Sequence, residues 1–311
     1  MPIAGGRQRM KRYGVALCVG VTLVFGLGFG QGCSGGGMDR AFWQSVKANN
    51  FTAPSRRTPD ELAACLGSPD PELRDALAYE IFTNWLRGGR LSALVMKSLV
   101  RSLVQNLGTG IGQAEGESTL LRSFSALILS EAIRRDNQAS YLEPPEFAEV
   151  LNAALAYLPA ERDLRGFDSR YGYVHGVAHG SDLLWRLASS PKTGAAELQH
   201  ILEALASKIA LPGEHFYVYG EPEWLDRAFI YALNRGVLDL GWVKDWVRRS
   251  TGPDPLGSWG NAFSSQSGLA RLHSIKLFLL DLYATLSLNP GLKGASELLP
   301  VVKEALEAVS L

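Results

Sequence analysis

The sequence predicts an all-α protein, built as a HEAT-like α-solenoid of irregular helix pairs. Two observations carry this expectation. Similar amphipathic segments return at a period of about fifty residues, and strand patterning is nearly absent. With Arg74, Arg122, His175, Arg227 and Arg271 as marks, the steps are 48, 53, 52 and 44 residues. A lone helix pair cannot bury its own apolar face, so repeats of this kind stack. An αα-toroid gives similar periods and stands as the alternative architecture.

The elements follow in order. Thr58, Pro59 and Glu61 supply a capping hydroxyl, a proline at the first helical position and an acid three residues after the cap. Asp70, Pro71 and Glu72 repeat that logic, and residues 143–146 (EPPE) open another helix. Each step also holds a second helix, expected at 92–107, 145–158, 195–209 and 239–249, with a final helix at 295–309. The Gly-rich stretch 106–112 follows a helix and lacks the Lys-Ser/Thr pair of a phosphate loop, so it reads as a helix stop and an inter-repeat turn. Residues 216–219 (FYVY) have strand composition but are short and bounded by Gly220, and they read as loop.

Hydrophobic residues make up 46% of the 311 and charged residues 20%, a globular composition. Lys plus Arg and Asp plus Glu are 31 each, which removes the electrostatic case for a nucleic-acid partner. Residues 1–37 differ from the rest. Arg7, Arg9, Lys11 and Arg12 precede an apolar run that ends in small residues, the layout of a secretory signal. Cys33, followed by Ser34 and glycines, is the candidate lipidation site of a lipoprotein. The expected compartment is therefore exported, periplasmic or membrane-anchored, with membrane contact only through the leader or its lipid. A start at Met38 would make the protein cytoplasmic instead. Residues 38–311 form the expected helical-repeat domain. Cys65 is the one cysteine of that domain, so it reads as a small buried residue with no internal disulfide.

One segment is unlike the others. His175, His179, Asp182 and Arg186 stand at i, i+4, i+7 and i+11. On a helix they share an arc of about 60°, opposite Val177, Leu184 and Leu187. Two histidines a turn apart, with a carboxylate on the next turn, are a candidate metal set for zinc. The same stripe can hold a ligand through imidazole and guanidinium donors, or be a solvated face or salt-bridge ladder. The flanking stretches 163–173 and 211–222, which include Arg165 and His215, are long and rich in Gly and aromatics, as suits a concave binding surface. There is no nucleophile elbow, no paired C-x-x-C and no H-E-x-x-H.

Five blocks then occur in order: residues 73–79 (LRDALAY), 106–112 (NLGTGIG), 121–127 (LRSFSAL), 163–167 (DLRGF) and 175–182 (HGVAHGSD). Together they resemble a bacterial family known as domain of unknown function 2785, over roughly residues 40 to 285. The resemblance implies a helical fold and supplies no activity. It draws Arg122, Arg165, His175, His179 and Asp182 together as a candidate shared polar cluster. Two functional classes follow: a non-catalytic scaffold for a peptide, a partner protein, a small-molecule ligand or an envelope component, and a hydrolase using His175, His179 and Asp182 on a metal or as acid-base groups.

Overall fold

A computed structural model describes residues 38–52 and 59–309. Thr58, the expected leader and Cys33 lie outside the described residues. The chain runs α1 (Met38–Ala48), α2 (Pro59–Ala63) and a 3-10 turn (Ala64–Gly67). A π-helical stretch, Glu72–Tyr79, then leads directly into α3 (Glu80–Arg87). After it come α4 (Ala93–Leu107), α5 (Ser118–Gln138) and α6 (Pro144–Ala160). A two-residue antiparallel hairpin, β1 (Phe167–Asp168) and β2 (Gly172–Tyr173), precedes α7 (Gly176–Ala188). The remainder is α8 (Ala195–Ile209), α9 (Glu221–Asn234), α10 (Leu240–Ser250), a 3-10 turn (Trp259–Ser264), α11 (Gln266–Leu288) and α12 (Ala295–Ala308).

The all-α expectation holds, and its physical signals are visible at the helix starts. Asp70 accepts the Glu72 N–H at 2.9 Å, and Glu146 reaches back to the Glu143 N–H at 2.9 Å. Asp239 takes the Trp242 N–H at 2.7 Å, and Ser265 takes that of Gly268 at 3.0 Å. Each contact satisfies a donor that the first helical turn leaves without a partner. The second helix of every expected pair forms within two residues of its expected bounds, and residues 216–219 are loop. The Gly-rich stretch 106–112 is the turn after α4.

The helices pack in two rows. In one, α3 meets α5, α5 meets α7, α7 meets α9 and α9 meets α11; in the other, α4 meets α6, α6 meets α8 and α10 meets α12. α5 is central and buried on most sides, including its polar Arg122, Ser123, Ser125, Glu131 and Asp136. Burying so many polar groups requires partners for them, and these partners shape the site. α7 also approaches α6 closely: a Cβ at Gly180 would stand 2.9 Å from the Tyr157 ring and 3.0 Å from Leu158. Only glycine allows that helix spacing.

Two expectations are corrected. His175 is not on the helix: it is the residue before α7, in the left-handed conformation (φ 48°, ψ 36°), so the row of four polar residues is a helical stripe only from His179 onward. Cys65 is fully buried, as expected, but it is disulfide-bonded rather than without a covalent partner. Among the described residues, no helix is long and apolar enough to cross a membrane.

Candidate functional site

The site is assembled by a ladder of buried ion pairs. Arg122 of α5 forks onto Glu161, Nε to Oε2 at 2.6 Å and Nη2 to Oε1 at 2.7 Å, with both side chains fully buried. Its Nη1 donates to Ser118 Oγ and to the Thr109 and Gly110 carbonyls, which pins the Gly-rich turn. Glu161 also accepts the Asp163 N–H at 2.9 Å. Asp163 takes the Thr119 hydroxyl at 2.7 Å and is forked by Arg165 at 2.9 and 2.6 Å. Arg165 and Thr119 hold the Asp163 carboxyl below its ordinary range against the opposing effect of burial. Arg165 then reaches Asp168 of β1 at 2.9 Å. The hairpin is thereby tied to α5, and its end delivers His175.

The backbone of His175 is set by this anchoring. Its N–H donates to the Arg165 carbonyl at 3.1 Å, and its own carbonyl accepts the first helical N–H of α7, from His179, at 2.9 Å. The next residue is Gly176, where a Cβ would come within 3.2 Å of the Glu161 carboxylate. A carboxylate against the start of α7 is favourably placed toward the positive end of the helix dipole. A histidine with positive φ costs on the order of 1 kcal/mol or more, and such strain persists where the surroundings over-determine it.

His175 and His179 form one wall of a cleft of about 430 Å³. Their rings are 5.7 Å apart. Tyr173 and Trp224 meet the His175 ring in T-shaped contacts with ring centroids 4.8 and 5.5 Å apart, and Phe124 meets His179 likewise at 4.9 Å. Asp75, Tyr79, Leu127, Asp182 and Tyr219 complete the lining. Asp75 is paired with its neighbour Arg74 at 3.0 Å, and Asp182 lies 3.9 Å from Arg227 of α9.

The protonation states follow from burial. His175 is 6% exposed and its pKa falls to about 4 through desolvation. His179 lies well below its ordinary value for the same reason, reinforced by His175 and Arg74. Both are neutral imidazoles at physiological pH. The tautomer of His179 is fixed by Ser123. The Ser123 hydroxyl donates to the Val174 carbonyl, which has no proton to offer, so His179 Nδ1, 2.8 Å from that hydroxyl, must be the donor. The His179 lone pair is therefore on Nε2. Because the Ser123 proton is committed to Val174, this pair is not an activated serine nucleophile. Burial raises Asp182 to about 6 despite Arg227 and Arg186, and raises Asp75 despite Arg74.

One atom stands out. His175 Nε2 is buried, on the cleft wall, and has no hydrogen-bond partner among the described residues. A larger concavity of about 700 Å³ lies beside α2 and α4, but among the described residues no buried polar side-chain atom of its walls lacks a partner. Ser102 there bonds Asp60, and Asn106 bonds Ser125. The smaller cleft is the stronger candidate.

Of the residues singled out from sequence, His175, His179 and Asp182 come together in the cleft. Arg122 and Arg165 do not line it; their guanidinium groups are engaged in the ladder beneath. Arg186 stacks 3.7 Å over Trp185, and His215 sits beside Tyr217 with ring centroids 5.5 Å apart. The zinc expectation for His175, His179 and Asp182 is not met by this geometry: among the described residues no three His, Cys, Asp or Glu side chains are placed to hold one ion. Asp75, Tyr79, Phe124, Ser123 and Trp224 were not singled out. The first four sit inside the blocks 73–79 and 121–127, whose recurrence was a usable signal.

Comparison with protein families gives a match over residues 107–284 to the family described as "Protein of unknown function (DUF2785)". The chain belongs to this family. The DUF2785 match spans the ion-pair ladder, both histidines, Asp182 and Trp224, whereas block 73–79, with Asp75 and Tyr79, precedes it. Comparisons with curated proteins and with solved structures find no match.

Proposed function

We propose that this chain is a non-catalytic helical-repeat binding scaffold whose cleft takes a small-molecule ligand. The observation that supports the reading is His175 Nε2. A buried polar atom left without a partner costs roughly 1–3 kcal/mol, and native proteins seldom tolerate one without a use. Here the atom belongs to a residue with strained backbone, on the wall of a cleft whose volume suits a small molecule. A ligand group hydrogen-bonding to it would remove the penalty. The unbroken row α3, α5, α7, α9 and α11, each packed on the next, supports a HEAT-like solenoid over an αα-toroid in this proposal.

A hydrolase is the second reading, favoured by the tautomer of His179, whose Nε2 keeps its lone pair. Against it, the pKa depression that keeps both imidazoles neutral also makes them weak bases, and the metal-dependent form lacks a three-residue donor group among the described residues.

Ligand-observed NMR against a general fragment library tests the binding reading. Hits are expected to compete with one another and to lose binding in both His175→Ala and Trp224→Ala. Hits that survive both substitutions would assign binding elsewhere and remove the reading.

For location, we propose export behind the segment 1–37. Mass spectrometry of the natural protein is expected to find a mature N-terminus produced by cleavage within that segment. A chain beginning at Met38 would assign it to the cytoplasm instead.

A further inference from the structure

The chemistry of the cleft wall narrows the ligand class, on the assumption that the cleft is a binding site as proposed above. Five aromatic side chains line it: Tyr79, Phe124, Tyr173, Tyr219 and Trp224. Two carboxylates line it as well, Asp75 and Asp182, and the described lining contains no Lys or Arg. Arg74, Arg227 and Arg186 act on those carboxylates, and none of the three lines the cleft. Arg74 is fully buried, forks onto Asp75, donates to the Ser68 and Tyr171 carbonyls, and lies 4.7 Å from the centroid of the Phe124 ring. Arg227 is held by Glu223 at 3.0 Å and between the rings of Trp185 and Trp224, at 5.3 and 5.9 Å. Its distance to Asp182, 3.9 Å, is at the long end for an ion pair. Within the cleft itself the field is thus set by acids and ring faces, which attract positive charge.

We infer that the cleft selects a small organic cation, an alkyl- or arylammonium group, which would pack its charge against the aromatic faces and Asp182 and Asp75 while His175 Nε2 accepts one of its N–H groups. A cation of this kind suits the wall in three ways at once. Ring faces receive it by quadrupole attraction. The carboxylates gain the counter-charge that Arg74 and Arg227 supply only from one side. The neutral imidazole, as its Nδ1–H tautomer, offers the Nε2 lone pair to an ammonium N–H, which it could not do as an imidazolium. An anion would meet two carboxylates and no cation on the described lining. A neutral alcohol of equal size would keep the ring packing and the hydrogen bond but lose the charge contribution.

Three probes of matched size separate these cases on the full chain at pH 7.5: benzylammonium, benzyl alcohol and benzoate, each titrated by calorimetry or ligand-observed NMR. Benzylammonium is expected to bind at least about tenfold more tightly than benzyl alcohol, on the order of one cation–aromatic contact and one charge pair combined. Benzoate is expected to show no binding. Asp182→Asn should reduce that preference to about threefold or less, and Asp75→Asn supplies a second variant at the other carboxylate of the lining. Equal binding of benzyl alcohol and benzylammonium, with both lost in Trp224→Ala, would overturn the cation inference while the binding cleft stands. Binding of none of the three would overturn the cation inference, while the fragment screen decides the binding reading separately.

Discussion

Arg122→Met is expected to cost about 3–5 kcal/mol of folding stability, the range for removing one partner of a buried pair. The reason is the ladder beneath the hairpin. Arg122 is fully buried and forks onto Glu161, itself fully buried, while Nη1 satisfies the carbonyls of Thr109 and Gly110. Removing the guanidinium leaves a carboxylate uncompensated in the interior, and two carbonyls lose a donor with it. At about 2–4 °C per kcal/mol for a chain of this size, the melting temperature should fall by about 10 °C. The double variant Arg122→Met, Glu161→Met removes both charges and should recover at least half of that loss, because the single variant's penalty lies mostly in the orphaned partner. Thermal and urea unfolding of the two variants check this. A single variant that loses less than about 1 kcal/mol would mean the pair is not buried as described. The ladder also sets the backbone of His175, so Arg122→Met is expected to weaken fragment binding without touching the cleft wall.

The opposite sign is expected at Asp226. This residue of α9 is 4% exposed, accepts the Thr285 hydroxyl at 3.0 Å through Oδ2, and has no described partner for Oδ1. Burial drives its pKa from 3.8 to about 7, with Asp281 and Glu223 adding like charge against the help of Thr285 and Arg227. A carboxyl with a raised folded-state pKa is neutral in the fold at pH values where the unfolded chain has already ionised it. Stability is therefore fully present below about 4 and is lost as pH rises toward 7. The loss amounts to about 4 kcal/mol, at roughly 1.4 kcal/mol per factor of ten. Asp226→Asn mimics the protonated form and keeps an acceptor for Thr285. The variant should be more stable than the natural chain at pH 8, by several kcal/mol up to that limit, and equal to it near pH 4. The depressed histidines act in the other direction, since a neutral imidazole favours the fold above about 6.5 and that contribution fades on acidification toward about 4. They are common to both chains and cancel in the comparison. Urea unfolding across the pH range measures the difference, and a gain that does not depend on pH would contradict this account of Asp226.

The helix pairs were legible because their signals are local. Apolar spacing and caps at Asp70 and Glu143 act within one helical turn, so the helix bounds follow from nearby residues. The candidate site was legible only in part. His175 and His179 were recognised by spacing, but whether His175 belongs to the helix depends on its φ, and that is decided by Arg165 and Glu161, which are held in turn by Arg122 on another helix. Contacts spanning 39 residues, such as Arg122 with Glu161, leave no periodic trace. The same holds for Trp224 and Tyr219, which reach the cleft from the next repeat. The π-helical stretch Glu72–Tyr79, which carries Asp75 and Tyr79 to the cleft, also has the apolar spacing of an ordinary helix start.

The central claim is that His175 presents a neutral, unsatisfied ring nitrogen to a ligand. Nitrogen-15 NMR of histidine-labelled protein, recorded with and without a fragment hit, tests it most directly. The Nε2 resonance of His175 is expected to move on ligand addition, while His179 stays protonated on Nδ1 and the nitrogens of the exposed His200 stay unchanged. A ligand that binds and leaves the His175 nitrogens unmoved, or a His175 already charged at neutral pH, would contradict the account.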